Sequence, residues 1–190
     1  MTSDDGADAA LARRAAEGDD GAFTELVGRH KDPLYRLLRR YSGSSDEAYE
    51  AVQETFIAAW AALGRYDPAR PFGPWLRTIA LNKARDRARR GRLRSLVFGA
   101  RPLDAEGANQ VADQTQLADE ALMAVQQTQR LDGAVAVLPD RLKAPLLLTA
   151  FEGYSQIDAG RLLGVSAKTV ETRVSRARKK LAAALAGDQV

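Results

Sequence analysis

Apolar residues recur three and four positions apart along this chain, and the alternating runs that mark a half-buried strand are missing. That pattern predicts an all-α protein whose helices each turn one apolar stripe to a core. The clearest stripe is Val170, Val174, Ala177 and Leu181, on a helix that Ser166 is suited to cap. A shorter helix over 155–163 precedes it, stopped by Gly164, and the pair reads as a helix-turn-helix. Upstream, Phe23, Leu26, Val27, His30, Leu34, Leu37 and Leu38 share one face, with Asp19 or Asp20 as cap. Pro33 is expected to kink that helix or restart it. Ser44 and Glu47 suit a capping box for a helix over 46–63, with Val52, Phe56, Ala59, Trp60 and Leu63 facing inward. A fourth helix over 74–92 is apolar early and basic at its end, and residues 9–16 can form a short helix of their own.

Periodicity fails between these blocks. Residues 94–128 gain Gly, Asp, Gln and Asn and read as a flexible acidic linker. The expected organisation is therefore two small helical domains, 20–93 and 129–186, behind a short acidic helical segment at 1–19. Within the second domain, Leu138-Pro139 opens a segment that Gly153 closes, and Pro145 should kink it or delay its start.

Composition narrows the chemistry. The 190 residues contain no cysteine and one histidine, His30, which leaves thiolate sites and histidine catalysis almost nothing to work with. His30 is expected to pack at the core edge rather than to act as a ligand. No phosphate-binding glycine loop and no metal-ligand cluster occur, so no catalytic residue, metal or cofactor is assigned, and the chain is not expected to be an enzyme. No apolar run has the length of a membrane span and the acidic N-terminus is unlike a signal peptide, so no membrane insertion is expected and a cytoplasmic location is. The net charge is only +3, but it is unevenly spread. Lys83, Arg85, Arg87, Arg89, Arg90, Arg92 and Arg94 crowd one stretch with Asp86 the lone acid, whereas 102–129 has no basic residue. Two cationic elements around an acidic spacer suggest two contacts on a polyanion.

Three surfaces could make contacts. On the helix after Ser166, Lys168, Thr172, Ser175, Arg176 and Lys179 lie opposite the apolar stripe, flanked by Arg173 and Lys180. Small polar residues followed by cations suit a helix in the DNA major groove, although a solvated bundle face has a similar composition. On the 46–63 helix, Glu50, Gln53, Glu54, Ile57 and Ala61 share the outer side; an isoleucine among them fits a protein-binding face and a stray exposed isoleucine equally well. The connector from Arg65 to Trp75 sets Tyr66, Phe72 and Trp75 beside Arg65, Arg70 and Arg77, which suits base stacking on a single strand. Packing of Phe72 or Trp75 into the core is the competing reading.

Taken together, these stretches resemble the extracytoplasmic-function sigma factors of the sigma-70 family. Phe23-Thr-Glu-Leu, the run Glu50-Ala-Val-Gln-Glu-Thr-Phe-Ile-Ala-Ala-Trp60, Arg70-Pro-Phe-Gly-Pro-Trp-Leu-Arg-Thr-Ile-Ala, and then Asn82, Asp86 and Arg89-Arg90 are similar to the family's first domain. Leu138-Pro139, Glu152-Gly-Tyr-Ser155 and the run from Lys168 to Leu181 are similar to its second. The resemblance implies a subunit that binds core RNA polymerase, directs it to promoter DNA and helps to melt it, under the control of an anti-sigma factor. It implies that Glu50, Gln53, Glu54 and Ile57 meet the clamp helices of the polymerase largest subunit. It places Arg65, Tyr66, Arg70, Phe72, Trp75, Asn82 and Lys83 at the minus-ten element, and Ser166, Lys168, Thr169, Thr172, Arg173, Arg176 and Lys179 at the minus-thirty-five element. Against the family pattern, Glu50 stands for an aspartate, Gly160 for the usual small mid-helix residue, and Pro74 and Pro145 for better helix formers. A helix-turn-helix regulator that works without polymerase is the alternative reading.

Overall fold

The computed structural model describes residues 3–98 and 117–187, and among them every regular element is helical. Eight α-helices follow one another: α1 Ser3–Ala16, α2 Asp20–Ser42, α3 Ser45–Ala62, α4 Phe72–Phe98, α5 Leu117–Ala136, α6 Asp140–Leu146, α7 Gln156–Leu163 and α8 Ala167–Gly187. The first four form one packed group and the last four another. Residues 99–116, in the middle of the expected linker, lie outside the described part, but α4 and α5 run into that stretch from both sides. Residues 94–98 and 117–128 of that expected linker are thus helix rather than flexible chain.

Local chemistry sets the boundaries. The Asp19 carboxylate accepts from the Ala22 N–H at 3.0 Å and caps α2. The Ala22 N–H, and then Arg14 at 2.6 Å, hold that carboxyl below its usual range. Ser44 accepts from the Glu47 N–H to cap α3, but only this half of the expected capping box forms, since the Ser44 N–H donates to the Ser42 hydroxyl at 3.2 Å. Pro33 does not restart the helix: α2 continues through it, because Leu26, Leu34, Leu37 and Leu38 on either side all bury against one core. Pro145 likewise sits inside α6 without delaying it, and the chain widens just afterwards into a π-type turn, Leu147–Phe151. There the Glu152 N–H reaches back to the Leu147 carbonyl at 3.0 Å. Pro74 stands in the first turn of α4, where its missing N–H costs nothing.

α1 begins earlier than the sequence suggests and packs Leu11, Ala12 and Ala15 onto α2 and α4. Its buried Asp8 accepts from Arg29 at 3.2 Å and lies 2.6 Å from His30 Nε2. His30 is thus a core-edge residue with a carboxylate partner, its ring 5.3 Å from that of Phe72. Trp60 differs from expectation: it remains 41% exposed and rests on the ring of Phe23 at 4.7 Å instead of entering the core.

The two groups meet where α2 ends. Gly43, left-handed at φ 79°, lets the chain pass Ala136; a Cβ there would lie 2.6 Å from the Ala136 methyl. The buried Lys143 ammonium donates to the Tyr41 carbonyl at 3.1 Å and lies 5.1 Å from the centre of the Tyr41 ring. The Tyr41 hydroxyl donates to Asp140 at 3.3 Å. Arg40 pairs with Asp132 at 3.2 Å while stacking on Phe151, and Arg77 pairs with Glu152 at 2.7 Å.

In the second group, α8 buries Val170, Val174, Ala177 and Leu181, the stripe read from the sequence. Gly160 is needed where α7 meets the turn: a Cβ on it would stand 2.7 Å from the Val165 carbonyl oxygen. Gly133, in α5, has open space around it. Gly160→Ala should therefore destabilise the protein by about 1–3 kcal/mol, whereas Gly133→Ala should stabilise it by about 0.5–1 kcal/mol. Thermal denaturation of the two variants side by side checks both signs.

Candidate functional site

The surfaces singled out in the sequence are built differently from one another. On α8, Ser166 accepts from the Thr169 N–H at 3.2 Å, and its hydroxyl lies 2.9 Å from that of Thr169, so both are engaged in the cap. Thr172 donates to the Lys168 carbonyl at 2.9 Å, and Lys168 pairs with Glu171 at 2.9 Å. Arg173, Arg176 and Lys179 have no acidic partner among the described residues, and the last two are exposed. The cap and first turn are rigid, and the unpaired positive charge follows them. This is an arrangement that phosphates and guanine edges satisfy well.

The connector before α4 reverses part of the expectation. Phe72 is fully buried and Tyr66 nearly so, with their rings 5.5 Å apart in an edge-on pair. The Tyr66 hydroxyl donates to the Arg70 carbonyl and closes the loop on itself. Neither ring offers a face for a base to stack on in this arrangement; both are held inside by Trp75, at 4.9 Å from Tyr66 and 5.4 Å from Phe72. The groups left outside are Arg65, Arg70 and Asn82, with Lys83 and Trp75 half-buried. Arg70 leans on Asp67 at 3.4 Å. An aromatic cluster inside thus fixes the shape of a polar, cationic loop outside. Burial pushes the Tyr66 phenol up to about 12, with Asp8 and Asp67 adding to the effect.

On α3 the four expected residues divide into two pairs. Glu50 and Glu54 turn to α4, where Arg87 bonds both, Glu54 at 2.6 Å. Gln53 and Ile57 turn to α2 and border a groove of about 560 Å³ that also includes Val27, Tyr35, Val52 and Phe56. Ile57 is 71% and Tyr49 62% exposed beside it. A large apolar pair thus borders an open apolar groove, a shape that suits a docking helix. Tyr49 was missed in the sequence reading, although its spacing to Gln53 and Phe56 is that of one helix face. Arg87 was missed because its partners are 33 and 37 residues away.

Among the described residues no cluster of His, Asp or Glu could hold a metal ion, and no helix is long and apolar enough to cross a membrane.

Comparison with known proteins covers both groups of helices. The family model for sigma-70 region 2 matches residues 26–94, and that for sigma-70 region 4 matches residues 128–181. The RNA polymerase sigma factor CnrH of Cupriavidus metallidurans is 40% identical over 183 residues, 96% of each chain. NccH of Alcaligenes xylosoxydans, also an RNA polymerase sigma factor, is 41% identical over 99% of this chain and all of its own. The ECF RNA polymerase sigma factor SigW of Bacillus subtilis is 30% identical, with 89% of this chain and 91% of SigW covered. CnrH solved in complex with the cytosolic domain of CnrY superposes with a TM-score of 0.67 at 36% identity, over 96% of this chain and 99% of that one.

The packing of the connector makes two predictions. Phe72→Ala should cost about 3–5 kcal/mol of stability, and Arg70→Ala should stay within about 0.5 kcal/mol of the parent, both measured by urea denaturation. The Tyr66 phenol titrates near 10.0 when free and about 12 when folded, so the fold favours its neutral form. That contribution is fully present below pH 10 and lost as pH rises through about 12. Stability should accordingly fall across this window, and less so in Tyr66→Phe.

Proposed function

Because this chain belongs to the extracytoplasmic-function group of the sigma-70 family, we propose a division of work among its three surfaces. The protein binds core RNA polymerase, directs it to particular promoters, promotes DNA melting and is controlled by an anti-sigma factor. It is a transcription initiation factor and works in the cytoplasm, where promoter DNA is; the polymerase, not this chain, supplies the catalysis.

The polymerase clamp helices would dock on α3 with Ile57, Gln53 and Tyr49 as the main contacts. Glu50 and Glu54 act chiefly by fixing α3 to α4 through Arg87, and their remaining exposure adds charge at the rim. The observation that carries this reading is the open apolar groove beside Ile57, on a chain whose connector and α8 leave arginines exposed elsewhere. At the minus-ten element, Arg65, Arg70, Asn82 and Lys83 would hold the backbone and an unstacked base. Tyr66 and Phe72 support the loop from within, and Trp75 is the aromatic with surface left to offer. Unstacking a base costs a few kcal/mol, which such a loop can offset. At the minus-thirty-five element, Arg173, Arg176 and Lys179 would reach bases and phosphates, while Ser166, Lys168, Thr169 and Thr172 set the angle of the helix. Each DNA contact can be weak alone, since polymerase holds both on one assembly and raises their effective concentration.

CnrH, a relative of known structure, is seen with the cytosolic domain of CnrY, and a partner of that kind would compete for the surfaces that polymerase needs.

Run-off transcription with core polymerase tests the whole reading: promoter-specific transcripts should depend on this chain. Specific DNA binding in the absence of polymerase, with no transcripts, would support an independent regulator instead. Ile57→Asp should weaken polymerase association by about tenfold or more and leave DNA binding by the α8 surface intact. Arg173→Ala or Arg176→Ala should lower use of duplex promoters while pre-melted templates remain nearly as active.

A further inference from the structure

Between the two groups of helices lies a cleft of about 390 Å³. Arg85, Arg89 and Arg92 reach it from α4, Arg141 from α6 and Arg173 from α8. Asp140 is the single carboxylate on its wall, and Arg92 and Tyr41 already engage it. Arg85 has only the Asn82 side chain within reach, at 3.4 Å, and Arg89, Arg141 and Arg173 have no acidic partner among the described residues.

Like charges collected from three helices around one space repel one another, and they oppose the closure that the Lys143, Arg40 and Arg77 contacts maintain. A group that binds several guanidinium ions at once removes that cost and draws the helices together. The guanidinium fork pairs with phosphate oxygens two at a time. The geometry points to a binding site for a compact polyphosphate anion, a chain of two or more phosphates, which holds the two helical groups closed.

The size of the cleft is that of a small-molecule site. Its one apolar wall residue, Leu163, gives a base or sugar little to grip, so recognition runs through the phosphates. A free oligophosphate and the tail of a nucleoside triphosphate share this chemistry. Either would cover Arg173, so the bound form would withdraw part of the α8 surface from DNA. The site itself needs no polymerase.

The test uses the full chain and two phosphate sources, inorganic triphosphate and ATP, against sodium chloride matched in ionic strength. Calorimetry should give one site per chain for triphosphate, and bound triphosphate should raise the melting temperature. Donor and acceptor dyes placed on α1 and α7 should report higher energy transfer with triphosphate than with the salt control. Arg141→Ala and Arg89→Ala should each weaken binding by about tenfold. Both should leave the unliganded protein as stable as the parent or more so, because each removes an unpaired charge. Triphosphate and ATP binding alike would identify the phosphate chain as sufficient, and tighter binding of ATP would identify a nucleotide as the source. The proposal is overturned if triphosphate fails to bind, or if matched salt reproduces its effect. Binding that survives both substitutions, or that only ATP or duplex DNA shows, overturns it equally.

Discussion

The relative placement of the two halves depends on one buried ammonium group. Lys143 is taken out of water, and burial lowers its affinity for a proton. The Tyr41 carbonyl and ring, with Asp140 close by, supply what water no longer does. Such a group tolerates little displacement, because moving α6 away from the end of α2 would strand a charge or a polar hydroxyl. Gly43 makes the approach possible by leaving room for Ala136. The more exposed pairs, Arg40 with Asp132 and Arg77 with Glu152, add direction to a contact whose position is already set.

This interface differs in character from the core of either half. Leu26, Leu37, Leu38, Phe72 and Leu76 hold the first group together chiefly by burial, with the Arg87 and Asp8 ion pairs at its margin. Between the halves the side-chain contacts are mostly charged or polar, added to a buried cluster that continues from one group into the other. The partly exposed pairs among them weaken with salt, whereas the buried Lys143 contact does so much less.

Much of the fold could be read from local signals. The helix-turn-helix was legible because Gly164, Ser166 and the stripe from Val170 to Leu181 each act within a few residues of themselves. The capping of α2 and α3 was legible for the same reason. The roles of Tyr66 and Phe72 were not, since an aromatic beside arginines looks the same whether it faces a base or a core; only the depth of the surrounding helices decides. That Pro33 and Pro145 lie inside continuous helices, without a restart or a late start, has a related reason. A missing N–H is a local cost, and Leu34 or Leu146 packing on a core outweighs it. On α3, the sequence grouped Glu50, Gln53, Glu54 and Ile57 on one outer side; their division between α4 and α2 was not legible, because Arg87 reaches Glu50 and Glu54 from another helix.

The lengths of α4 and α5 carry a consequence for reach. A helical residue advances the chain about 1.5 Å, an extended one about 3.4 Å. With helix on both sides, the stretch between Phe98 and Leu117 spans at most about 65 Å. The turns of α4 beyond Asn82 shorten what the chain can reach: residues 83–98 advance about 24 Å as helix, less than half of the about 54 Å they would cover if extended. Helix length in α4 and α5 therefore limits how far apart the two groups of helices could ever stand.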